Sequence, residues 1–164
     1  MNDLSKLDLT GTGSCASFNF RRTARAVTRM YDLALQESGI RSTQFAILLG
    51  IAKNQPVPIG TLADVLLLDP TTLTRSLRLL QKEGFVIVSK RAAMRQRFLT
   101  LTPKGERALA RCLPAWRKAH ERFLAMVGSE YWTGMQSELE RVAFAVAEIE
   151  EPQKALPSQT LANC

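Results

Sequence analysis

TLADVLLLDPTTLTRSLRLLQKEGFV, residues 61–86, decides the fold. Asp69 stands where a helix cap belongs, and Pro70 fits the first helical position because proline has no N–H to lose there. Leu73, Leu77 and Leu80 recur at helical steps as one inward stripe, and Gly84 fits the helix end. A short helix from about Ile59 to Leu67 is predicted just ahead of it. The stretch therefore reads as short helix, tight turn, capped helix.

Outward from this stretch, FVIVSK and RFLTLT read as two short strands joined by the basic loop RAAMRQ. On the second strand the expected faces alternate, Phe98 and Thr100 against Leu99 and Leu101. Upstream, TQFAILLGIAK (43–53) is a predicted helix with Ser42 as its cap, and prolines 56 and 58 in NQPVP end it in a loop. Residues 16–38 form a predicted first helix, with Phe20, Ala24, Val27, Tyr31 and Ala34 on one face and Gly39 as a left-handed stop. Downstream, Thr102 and Pro103 open a fifth helix running to about Val127, with Pro114 expected to kink it and Gly128 to end it. Ser129 is expected to cap a sixth helix to about Glu150. Its apolar residues Trp132, Met135, Leu139, Val142, Val146 and Ile149 have the spacing of a helix–helix seam.

The expected fold is mainly α (α+β), a winged helix-turn-helix with a two-stranded wing, flanked by N- and C-terminal dimerisation helices. The domain reading is a flexible N-terminus (1–15), helical dimerisation regions (16–40 and 106–151), a winged module (41–105) and a flexible tail (152–164).

Charge marks the module. Residues 41–105 carry ten Lys/Arg against three Asp/Glu, while 1–40 carry five against four and 106–164 seven against eight, so the formal +7 is local. A cationic block between near-neutral flanks suits a polyanion, and double-stranded DNA is the expected partner. A solvated basic face is the plain alternative. Thr71, Thr72, Thr74, Arg75 and Arg78 lie off the leucine stripe, where threonine can meet phosphate or base edges and arginine can fork onto guanine. The helix start is expected to offer unpaired backbone N–H groups to phosphate, with Asp69 offsetting part of its dipole. Ser42 joins this DNA-binding set, as do Lys90, Arg91, Arg95 and Arg97 on the hairpin, whose thin basic tip suits a minor groove.

This combination resembles the MarR family of bacterial transcription regulators, through TQFAILL in the second helix, residues 61–86, and RFLTLTPKGERAL leaving the wing. The resemblance covers about residues 17–150. It implies a homodimer whose terminal helices intertwine, with Phe20, Val27 and the sixth-helix seam at the interface. It implies a pseudo-palindromic operator, the fourth helix in the major groove and the wing tip in the minor groove. It also implies a repressor released by a small, often aromatic, ligand. One departure is Ala93-Met94-Arg95, where family wings carry Asp-x-Arg.

Other residues weigh less. Cys15 loosely matches the placement of a sensor thiol in peroxide-sensing relatives; a redox-sensing repressor is thus an alternative, against an unreactive thiol near the chain end. Cys112 reads as packing, and Cys164 lies on the tail. His120 is the sole histidine and reads as a surface or packing residue. Trp116, Phe123 and Trp132 either pack as core, which their spacing favours, or line an effector pocket. No nucleophile–base, metal or phosphate-loop constellation stands out, so no enzyme, cofactor or metal is expected. No apolar run approaches the ~20 residues of a membrane span, and the polar N-terminus points to the cytoplasm. An alternative of another class is a helical interaction protein whose basic block binds an acidic partner protein.

Overall fold

The computed structural model describes residues 4–90 and 96–150. Six α-helices and three short strands follow in the order α1 (Ala16–Leu35), α2 (Ser42–Asn54), β1 (Val57–Pro58), α3 (Ile59–Val65), α4 (Pro70–Lys82), β2 (Val86–Lys90), β3 (Arg97–Leu101), α5 (Pro103–Val127) and α6 (Ser129–Glu150). Residues 4–6 and 12–14 add two 3-10 turns ahead of α1.

The punctuation follows the sequence closely. The Asp69 carboxylate accepts the Thr71 and Thr72 N–H groups at 3.0 and 2.9 Å, and Pro70 opens α4. Gly39, Gly84 and Gly128 take positive φ where helices stop. Thr102 caps α5 by accepting the Gly105 N–H at 2.9 Å. α5 stays one helix through Pro114. The proline withholds a donor from the Ala110 carbonyl, at a residue that is exposed.

Several expectations need correction. The α-helical part of the first helix ends at Leu35, and Gln36–Ser38 tighten into a 3-10 turn. α3 stops at Val65 rather than Leu67. Ser42 and Ser129 are first helical residues, not caps. At α2 the cap position is Arg41, whose N–H donates to the Gln44 side chain at 2.9 Å, while the Ser42 N–H donates to Asp32 at 2.7 Å. At α6 the Gly128 carbonyl takes the Trp132 N–H.

The supposed loop NQPVP contains a strand. Val57 and Pro58 pair with Leu99 and Phe98, giving a three-stranded antiparallel sheet in the order β1-β3-β2. Where β1 runs out, the Gln55 side chain accepts the Leu101 N–H at 2.8 Å. The expected alternation on β3 fails at Phe98, which is buried along with Leu99 and Leu101.

The core sits inside the winged module and the parts of α1 and α5 that touch it. Leu35, Leu48, Ile51, Leu62, Leu73, Leu80, Leu99 and Cys112 are fully enclosed. α5 approaches the wing so closely at Gly105 that a Cβ there would collide with the Phe85 carbonyl. The same junction is tied by Thr102, whose hydroxyl donates to the Gly84 carbonyl at 2.6 Å and whose N–H donates to the Phe85 carbonyl at 3.0 Å.

The outer helices are only partly covered by their own chain. Residues 16–26 of α1 are exposed throughout, including Phe18 and Phe20, and α6 leaves Leu139, Phe144 and Val146 exposed. Among the described residues no helix is long and apolar enough to cross a membrane.

Candidate nucleic-acid interface

α4 turns its two faces to opposite tasks. Leu73, Leu77 and Leu80 are buried, which leaves Thr71, Thr72, Thr74, Arg75 and Arg78 exposed. At 100° per residue, Thr71, Thr74, Arg75 and Arg78 form one row along the outer face. Lys82 continues that row and is also exposed. Its spacing, four residues beyond Arg78, could have placed it in the set from sequence.

The helix start is not open to phosphate as expected. Its Thr71 and Thr72 N–H groups are taken by Asp69. Hydrogen bonding from Thr72, side chain and backbone, and from the Thr71 N–H holds the Asp69 carboxyl below its ordinary range. Asp69 is therefore a charged cap across the working pH range. Thr74 is also committed, since its hydroxyl donates to the Pro70 carbonyl at 2.6 Å, leaving it free only to accept. Base- or phosphate-directed donors on this helix are thus chiefly the arginines and lysine.

The turn into α4 is closed by backbone bonds from Leu67 to Asp64 and from Leu68 to Ala63. Leu67 holds φ 48, the one non-glycine residue at positive φ among those described. Half-buried Leu66 and Leu68 pack against the core, which fixes the turn.

In the wing, Lys90 and Arg97 are exposed and face each other at the outer end of the β2–β3 ladder. Arg91 and Arg95, and the substituted Ala93, lie outside the described residues. Ser42 is half-buried and sits at the start of α2 with its N–H engaged by Asp32.

Of the residues expected at an interface between copies, Phe20, Leu139 and Val146 are exposed, and Val27, Trp132, Met135 and Val142 are half-buried. The Ile149 side chain lies outside the described set. Cys15 is exposed at the start of α1, and Cys112 is buried in the core.

His120 has more partners than its isolation in sequence suggests. It shares a 3.0 Å hydrogen bond with the Tyr31 hydroxyl and stacks on Trp116 and Phe123, with centroids at 5.1 and 6.4 Å. Trp116 in turn stacks on Phe45, and Phe123 meets Trp132 edge-on at 4.9 Å. This aromatic column, half-buried except for the buried Phe45, joins α1, α2, α5 and α6. Partial burial pushes the Tyr31 phenol up. The described residues hold no cluster of three metal-ligating side chains.

A capped helix with a cationic outer row, set beside an acid-free basic hairpin, defines a winged helix-turn-helix protein. The MarR family profile matches residues 40–93. The Mycobacterium tuberculosis transcriptional regulator MosR, solved in complex with DNA, matches with a TM-score of 0.75 and 32% identity, over 82% of this chain and 98% of that one. The PcaV transcriptional regulator of Streptomyces coelicolor, solved with its natural ligand, gives 0.75 at 20% identity, over 85% and 99%, a likeness of fold. An uncharacterized HTH-type transcriptional regulator of Bacillus cereus is 28% identical over 102 residues, 62% of this chain and 68% of its own length. The chain belongs to the MarR family of DNA-binding transcriptional regulators. That family and the similar proteins are regulators rather than enzymes.

Proposed function

We propose that this protein is a homodimeric, sequence-specific DNA-binding repressor, released from its operator by a small ligand, and that it acts in the cytoplasm. The observation that carries the reading is the single exposed row Thr71, Thr74, Arg75 and Arg78, opposite a buried leucine stripe and next to the basic wing. Such a row fits a major groove, and Arg75 is the residue placed to fork onto a base edge. Two copies are supported by the bare apolar residues of α1 and α6. A dimer would set two α4 helices about 34 Å apart, one duplex turn. A ligand that prefers another spacing empties the DNA-bound state, and a near-complete switch needs about 5.5 kcal/mol of preference.

The test is binding to duplexes from the region upstream of this protein's own gene, against random duplex, across a salt series. The expected result is a preference for a palindrome with half-sites one turn apart, and log K falling by about 0.9 per phosphate neutralised as log salt rises. Arg75→Ala is expected to cost about 1–3 kcal/mol of discrimination at one base position. Weak binding indifferent to sequence overturns the proposal.

A further inference from the structure

The outermost rung of the wing among the described residues sets two cations face to face. Lys90 is the register partner of Arg97, and both are exposed. Among the described residues neither joins an ion pair. From Phe85 to Thr102 the sequence holds Lys90, Arg91, Arg95 and Arg97 and no aspartate or glutamate. The wing therefore has no counter-charge of its own. Like charges directly opposite on paired strands work against the pairing. The rungs behind are uncharged, with Ser89 against Phe98, Val88 against Leu99, Ile87 against Thr100 and Val86 against Leu101.

We propose that the Lys90–Arg97 rung is an anion-completed clamp, in which one phosphate of the duplex backbone bridges the ammonium and the guanidinium and so holds this rung together. The clamp rests on the DNA-binding reading above and adds a coupling to it. The free wing is electrostatically opposed at this rung, and a bound phosphate removes the opposition. By linkage, wing pairing and duplex binding then strengthen each other by the same factor.

The experiment compares the full-length wild type with Lys90→Glu, Arg97→Glu and the double reversal, by thermal unfolding at low ionic strength and by duplex titration over a salt series. Each single reversal makes an opposite-charge rung. The unfolding midpoint is expected to rise by about 1–3 °C. Duplex binding is expected to weaken about tenfold near 0.1 M salt, with the salt slope shallower by about 0.9. The double reversal restores like charges on the rung, so the two gains do not add and its midpoint falls below their sum, while duplex binding weakens further. A rung that merely holds the hairpin together would lose stability in both single variants and would not show this crossover. If the wild type binds duplex but the single reversals keep its salt slope, or lower the midpoint, the clamp is wrong and the regulator reading stands. If the wild type binds no duplex, both fall.

Discussion

Gly105 is required by contact rather than by conformation, since its Cβ position is occupied by the Phe85 carbonyl. A backbone oxygen cannot swing aside as a side chain can. Gly105→Ala is therefore expected to destabilise the fold by about 1–3 kcal/mol in chemical denaturation. Asp32 does another single-residue task, accepting the Ser42 N–H at the start of α2. That bond, aided by the Ser42 side chain and by nearby Arg41, holds its carboxyl below the ordinary value near 3.8. A depressed folded-state pKa means the charged form stabilises the fold above that value and ceases to as pH falls through the folded pKa. The stability gap between wild type and Asp32→Asn should thus be constant near neutral pH and shrink below about pH 4. Urea unfolding at both ends of that range checks it, and a gap that widens in acid contradicts it.

At the scale of elements, α4 shows why so much of this fold was legible. Asp69, Pro70, the three leucines and Gly84 are local signals, each acting within a turn of its own position, and local signals survive in a linear reading. Leu77 is only 3% exposed, so Leu77→Ala is expected to cost about 2–5 kcal/mol and to weaken operator binding only through loss of fold. Circular dichroism melts alongside binding separate the two effects. β1 was illegible for the opposite reason. Its two residues include a proline, and their partners lie about forty positions away on β3. Phe98 misled similarly, because β1 pairs along an edge of β3 that a bare hairpin would leave open, with Pro58 opposite Phe98. The arginine row on α4 was readable from helical spacing, whereas the commitment of the Thr74 hydroxyl to Pro70 depends on a rotamer. His120 looked solitary because its hydrogen-bond partner Tyr31 comes from another helix.

For the whole molecule, the uneven burial of α1 and α6 is the informative feature. One chain encloses the winged module and leaves the outer helices half-dressed. Leu139 is 37% exposed and flanked along α6 by half-buried Met135 and Val142. Leu139→Asp is expected to leave the module folded but to give protomers in sedimentation equilibrium and to abolish tight operator binding. An intact dimer carrying this substitution would place the contact between copies elsewhere.

The knot of Thr102, Gly84 and Phe85 has a mechanical consequence. It welds the root of the wing to the first turn of α5, a rod of 25 residues and so about 37 Å long. With so stiff a joint at one end, a tilt of about 5° imposed at the far end sweeps the near end through about 3 Å over that length. On the proposed function, leverage of this kind would carry a slight rearrangement at the far end of α5 to the winged module as a displacement comparable to the rise between neighbouring base pairs.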